Sequence, residues 1–193
     1  QNAQTQYQTI STEIQKATNK ARFYPALAAT GTDESVAYLQ QTWEKEKSAK
    51  ALEALKKSNN YKAAATLLKA ANAGDEDALA KYVGLVNRYE TNVDNRSARL
   101  ISAISQAKSN NGKANVINAL SNTPTRNAFL TVGKYLDDKG VSYQAAVAKK
   151  NILKQTQEDI EYDIVKENMT KAINIYQAHG TADDGYAVDE IKK

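Results

Sequence analysis

The chain has 193 residues, 41% of them hydrophobic and 25% charged, a composition typical of a folded domain and not of a disordered segment. It contains no cysteine, which excludes disulfide bonds, thiolate metal sites and cysteine nucleophiles. The formal net charge of +4 does not by itself indicate a nucleic-acid partner. No apolar run reaches the roughly 18 residues that a membrane-spanning helix needs, so the sequence predicts no such helix.

The N-terminal third of the chain predicts two helices. The first has a light apolar stripe with one side chain per turn: Tyr7, Ile10, Ile14, Ala17 and Ala21. We expect it to end at Phe23-Tyr24-Pro25, because the residue before a proline is pushed out of the α region. A second helix is predicted over about 33–57, with its apolar face led by Val36, Leu39 and Trp43.

Six further amphipathic segments follow. Their apolar faces are centred on 61–71, 79–89, 100–107, 116–120, 129–136 and, in the longest, 142–178. No segment alternates in the way that a strand does. We therefore predict an all-α fold, an irregular antiparallel bundle of about seven to eight helices with a long C-terminal helix. We expect a single helical domain over 1–193, with a soft division near 91–97 between an N-terminal and a C-terminal half.

The segment 69–89 has a local pattern of small residues, a glycine and acids. A helix ends at Asn72-Ala73-Gly74, Asp75-Glu76-Asp77 follows, and the next helix opens with Ala78 and ends near Tyr89. This pattern resembles one unit of a Sel1-type or tetratricopeptide-like helical repeat, which implies a pair of antiparallel helices. Two other turns of glycine and acid, at Gly31 and Gly180, lie at spacings that fit no common period. We therefore assign no repeat family.

Charge is distributed unevenly along the C-terminal half. Residues 101–155 contain eight Lys or Arg against two acids, and residues 156–193 contain four against nine. The sequence leaves open whether the basic block over 96–154 and the acidic block over 158–190 face each other. Few aromatic residues are interleaved with the basic block, so we do not expect nucleic acid as a partner.

Candidate catalytic and metal-binding residues are few. The single histidine, His179, stands beside Gly180 at a predicted helix end, where a histidine usually complements the helix dipole. Asp159, Asp163 and Glu167 share a predicted helix face, and such a set holds a cation, acts as an acid and base pair or is a solvated surface. No glycine-rich phosphate loop is present. We expect no catalytic residue, no metal site and no cofactor, and therefore no enzyme.

Tyrosine is over-represented, with eleven residues against two phenylalanines. A tyrosine ring can be buried while its hydroxyl stays in contact with water. Tyrosine therefore suits both shallow core positions and interfaces. With the first helix's stripe, these residues define a candidate interaction surface, for a protein partner or a second copy: Tyr7, Ile10, Ile14, Tyr24, Tyr38 and Trp43.

The leading hypothesis is a non-enzymatic helical interaction or scaffold protein, exported to the bacterial cell envelope or surface. The polar start from Gln1 to Gln6 is typical of a chain from which a signal peptide has been removed, so we expect a secreted, periplasmic or surface location. One alternative is a helical bundle that binds a small apolar ligand or a peptide. Another is an accessory helical domain, or a virion component, cut from a larger precursor.

Overall fold

A computed structural model describes residues 2–156 and, beyond them, residues 164, 166–167, 170–171 and 173–174. Within these residues all regular secondary structure is helical, which confirms the predicted all-α class. Two 3-10 turns, Lys20–Phe23 and Tyr61–Ala63, lead into α2 and α5. The ten α-helices are α1 (Ala3–Lys16), α2 (Tyr24–Thr30), α3 (Asp33–Glu46), α4 (Ala49–Lys57), α5 (Ala64–Asn72), α6 (Glu76–Tyr89), α7 (Val93–Ile104), α8 (Asn110–Leu120), α9 (Arg126–Gly133) and α10 (Ser142–Thr156).

The expected count of seven to eight helices is wrong, because two of the predicted helix boundaries are misplaced. Lys47 adopts the left-handed conformation, with φ of 51°, and divides the predicted helix over 33–57 into α3 and α4. Pro25 stands in the first turn of α2 instead of following the end of α1. A proline is favourable there because a first-turn N–H has no partner inside the helix.

The prediction of one long C-terminal helix is not supported. α10 starts at Ser142, as expected, and is described as far as Thr156. The predicted end near Ala178 lies outside the described residues. The few residues described beyond 156 are helical, and among them Ile164 is half-buried against the core.

Consecutive helices pack together as hairpins, because the loops between them are short. The five hairpins are α1–α2, α3–α4, α5–α6, α7–α8 and α9–α10, and each packs against the next one along the chain. The buried apolar side chains form one cluster that extends from Ile14 to Ile152. The division expected near 91–97 stays a prediction.

Side-chain caps explain where most of these helices begin. The first N–H groups of a helix have no partner inside it, and a Ser, Thr, Asp or Asn at the N-cap can accept from one of them. Within residues 2–156, seven helices begin in this way, each with the cap accepting from the N–H three residues later: Asn2, Thr32, Ser48, Asp75, Asn92, Ser109 and Thr125.

α6 and α8 bury side chains at matching positions after their N-caps. Asp75 and Ser109, which cap α6 and α8, stand 34 residues apart. The same interval relates buried residues on the two helices in pairs: Ala78 with Gly112, Tyr82 with Val116, Val83 with Ile117, and Val86 with Leu120. α6 and α8 therefore bury the same positions relative to their caps.

The half-buried carboxylate of Glu76 connects α6 with the start of α8. Glu76, in the first turn of α6, accepts hydrogen bonds from the Ser109 backbone N–H at 3.1 Å and from the Ser109 hydroxyl at 2.6 Å. These bonds, led by the hydroxyl of Ser109, hold the pKa of Glu76 below its ordinary value. The carboxylate thus sits at the N-terminus of α8, where the helix dipole also favours negative charge.

Gly112 makes room for that carboxylate, so we expect Gly112→Ala to destabilise the protein. A Cβ at this position would lie 2.5 Å from Glu76 Oε2 and would displace it. Losing charge-assisted hydrogen bonds costs about 1.5–3 kcal/mol, which outweighs the gain of about 1 kcal/mol from replacing a helical glycine. Urea unfolding should therefore show a net loss of about 0.5–2 kcal/mol in the free energy of unfolding.

Gly84→Ala is the matched control. Gly84 is also helical, and a Cβ there would meet no atom within 4 Å. This variant should keep or raise the free energy of unfolding. Equal stabilisation by both substitutions would show that Glu76 does not constrain position 112.

Candidate functional site

The structure separates the six residues of the predicted interaction surface into two groups. Ile14 and Tyr24 belong to the core, with exposed fractions of 3% and 5%. The other four, Tyr7, Ile10, Tyr38 and Trp43, are half-buried and pack against that core. Ile14 and Tyr24 are thus accounted for by packing, and only the second group keeps surface that a partner could touch. Partner binding by these residues stays a prediction.

Three of the tyrosines come together where α1, α2 and α3 meet. The rings of Tyr24 and Tyr38 are tilted against each other, with centroids 6.3 Å apart. Burial raises the pKa of both hydroxyls, and the nearby Glu46 carboxylate raises both further. Tyr7 lies close enough to contribute to the raised pKa of Tyr38. This tyrosine cluster fixes the first hairpin to α3.

Trp43 has a different environment from the tyrosine cluster. The Lys47 ammonium group lies 4.6 Å from the centre of its ring, a cation–π contact. Lys47 is also the left-handed residue that ends α3. The contact therefore places the tryptophan ring at the α3–α4 turn.

Two shallow grooves flank α2. The first, of about 320 Å³, lies between α1 and α2 and is lined by Gln6, Thr9, Ile10, Ala26, Ala29 and Thr30. The second, of about 240 Å³, lies between α4 and the segment that leads into α2. It is lined by the apolar residues Ala21, Pro25, Ala49 and Ala54 and by the charged residues Lys50, Glu53 and Lys57. Both grooves are open and chiefly apolar.

A second aromatic cluster, absent from the sequence-based candidates, joins the third and fourth hairpins. The rings of Tyr61 and Tyr89 stack with centroids 5.8 Å apart. Arg99 Nε donates to Glu90 Oε2 at 3.0 Å, and its guanidinium carbon lies 5.7 Å from the centre of the Tyr61 ring. The Tyr61 hydroxyl also donates to Glu90, at 3.3 Å.

The charges of this second cluster are matched within it, which indicates a packing role. Glu90 and Arg99 neutralise each other, and Arg99 also reaches the hydroxyl of Tyr82. Burial raises the pKa of Tyr61 and Tyr82, and Arg99 opposes that rise in both. The sequence did not disclose the cluster because its members come from three separate helical segments.

The described part of the chain contains no group of three or more His, Cys, Asp or Glu side chains able to hold a metal ion. Of the acidic stripe considered above, Glu167 forms an ion pair with Arg126. Asp159 and Asp163 lie outside the described residues, as does His179. Among the helices that the structure describes, none combines the length and the apolar character needed to cross a membrane.

Comparison with known proteins gives no family for this chain. No protein-family model matches it, and neither a curated protein nor a solved structure matches it significantly.

The raised tyrosine pKa values predict that the protein loses stability in alkali. A tyrosine whose pKa is higher in the folded state stabilises the fold fully below its unfolded pKa, of about 10. That contribution is lost as the pH rises through the folded-state pKa. We expect the free energy of unfolding, measured between pH 8 and pH 11.5, to fall less steeply with rising pH for Tyr24→Phe than for the unchanged chain.

Tyr143→Phe is the control for this titration, because Tyr143 is 76% exposed. This variant should show the same fall of the free energy of unfolding with rising pH as the unchanged chain. If Tyr24→Phe and Tyr143→Phe gave the same slope as the unchanged chain, burial of Tyr24 would not be the cause of the loss.

Proposed function

We propose that this chain is a non-enzymatic helical interaction or scaffold protein that binds another protein or a second copy of itself. The observation that supports this best is the groove between α1 and α2 on the first hairpin. The groove includes Ile10, and Tyr7 lies one turn away on α1 with part of its side chain exposed. An open apolar groove beside a tyrosine suits a protein surface better than an enclosed small molecule.

The small side chains of α2 favour close approach by a partner. Ala26 and Ala29 are exposed and line the groove from the α2 side. A helix or loop could therefore lie near the α2 backbone and bury Ile10 further. The tyrosine cluster holds α1 and α2 in place beforehand, so little ordering would be required on binding.

The proposal retains the expectation of export to the bacterial cell envelope or surface, which rests on the sequence alone. A second candidate function is the binding of a small apolar group or a peptide in the groove beside α4. The four apolar residues that line it, beside the charged side chains of Lys50, Glu53 and Lys57, support that function. No cofactor is part of either proposal.

Ala29→Arg tests the first groove without disturbing the core, because Ala29 is exposed. The long cationic side chain would fill the groove and prevent contact with Ile10. We expect concentration-dependent association of the unchanged chain, followed by light scattering or sedimentation, and an association constant at least tenfold lower for the variant. Tenfold corresponds to about 1.4 kcal/mol.

Ala37→Arg, an exposed substitution of the same kind on α3, is the matched control and should associate as the unchanged chain does. Equal weakening by both variants would indicate a general charge effect. An unchanged chain that stays monomeric up to high concentration would refute self-association through this groove.

A further inference from the structure

One dipeptide of the chain joins an asparagine to a following glycine: Asn111-Gly112, in the first turn of α8. Asparagine and glycine favour turns, because both accept backbone conformations outside the helix. Here Ser109 holds the pair in the helix, since its hydroxyl oxygen accepts from the Gly112 N–H at 3.0 Å. The N-cap of α8 therefore outweighs the local preference of the pair.

An asparagine followed by glycine can lose its side-chain amide without an enzyme. The backbone nitrogen of the glycine gives up its proton and attacks the asparagine Cγ, which closes a five-membered succinimide ring. The bond from Cγ to the side-chain nitrogen breaks, and that nitrogen takes up a proton and leaves as ammonia. Water then opens the ring at either carbonyl and yields aspartate or isoaspartate. Glycine favours the reaction because it has no Cβ to hinder the turn that ring closure requires.

The sequence offers this reaction at Asn111 more readily than at the other asparagines. Each of the others is followed by a residue with a side chain, which hinders the approach of the backbone nitrogen. Asn111 itself is exposed, so water can reach its side chain and ammonia can leave. The dipeptide and its exposure therefore favour deamidation, and the question is what the fold does to its rate.

Three features of the intact α8 oppose the reaction. A helical ψ of about −42° keeps the Gly112 nitrogen away from the Asn111 Cγ. The N–H that must lose its proton donates to the Ser109 hydroxyl instead. The Glu76 carboxylate is held beside Gly112 by its two bonds from Ser109, and a negative charge there disfavours an anionic nitrogen. Deamidation therefore requires the first turn of α8 to open.

We propose that Asn111 is a deamidation site, and that the Ser109 cap with the Glu76 carboxylate sets the rate of its conversion. The first turn of a helix opens at a lower free energy than the whole fold does, so the site is reached without global unfolding. Each opening releases the Gly112 nitrogen from Ser109 and frees the backbone of Asn111 to turn. None of the residues that line the groove between α1 and α2 takes part, so the site is separate from the proposed interaction function.

Conversion of Asn111 changes the connection between α6 and α8. In the isoaspartate product the main chain runs through the former side chain, which adds a methylene group to the first turn of α8. The spacing that lets Ser109 accept from the Gly112 N–H is then lost, and with it the cap whose hydroxyl also donates to Glu76. Because the ammonia has left, the change does not reverse by itself. The site makes this junction weaken in one direction with the age of the molecule.

Incubation of the full chain at mildly alkaline pH tests the proposal, with peptide mapping by mass spectrometry to follow each asparagine. The converted fraction of Asn111 is measured in native buffer and in urea, at the same pH and temperature. In urea we expect Asn111 to be converted before the other asparagines, because it alone precedes a glycine. In native buffer we expect its conversion to be slower by about tenfold or more, because the first turn of α8 is then mostly closed.

Ser109→Ala should speed the conversion of Asn111 in native buffer by about fivefold, the change that loss of an N-cap produces in an opening equilibrium. In urea this variant should convert at the rate of the unchanged chain. Ser48→Ala is the matched control, because Ser48 caps α4 in the same way, by accepting from the Ala51 N–H at 3.2 Å. It should lower the melting temperature as Ser109→Ala does and leave the native rate at Asn111 unchanged.

Three results would overturn the proposal. One is equal conversion of Asn111 in native buffer and in urea, and another is an equal native rate at Asn111 in the two serine variants. The third is earlier conversion of a different asparagine in urea. The first and the third are measured on the unchanged chain, so they apply even if a variant is unfolded.

Discussion

The fold depends on close contact between helices whose buried faces are rich in alanine. Thirteen alanines appear among the buried residues of α4 to α10 and their loops, often one turn from a leucine or valine: Ala51, Ala54, Ala63, Ala64, Ala70, Ala71, Ala78, Ala103, Ala107, Ala119, Ala128, Ala145 and Ala148. An alanine contributes little apolar area by itself, but it lets two helix axes approach near the lower end of the usual range. Most of the helices are also too short to be stable in isolation. Stability therefore arises from packing between helices, both within the hairpins and between them, and not from single helices.

That constraint explains why the polar contacts concentrate where hairpins meet. Glu76 reaches from α6 to the start of α8, Lys113 on α8 pairs with Asp138 at 2.9 Å, and the Ser97 and Thr125 hydroxyls are 2.7 Å apart. Each contact fixes the position of one unit relative to the next. Closely packed small residues allow little sliding of one helix along another. The polar contacts and the packing therefore favour the same relative position of neighbouring helices.

The sequence was sufficient to predict the helical class and most of the helical segments, because apolar spacing is a local signal. It was insufficient at Lys47, where a residue other than glycine takes the left-handed conformation and local propensity gives no warning. It also misplaced Pro25, because a proline can end one helix or begin another. The correspondence between α6 and α8 is weak in sequence, since Tyr82 and Val116 fill equivalent positions with different side chains.

The candidate surface was predictable only in part. A helical stripe identifies which residues share a face, but it does not say how deeply a neighbouring helix covers them, and Ile14 and Tyr24 proved to be core residues. The cluster around Arg99 and Glu90 needs three helices to converge, which no local pattern indicates.

The buried cluster is continuous, but each hairpin contacts chiefly the hairpin on either side of it. A local disturbance in such an arrangement therefore weakens the neighbouring junctions first. Loss of the Glu76 contact should loosen α8 against α6 and leave the packing of α2 on α4 largely unchanged.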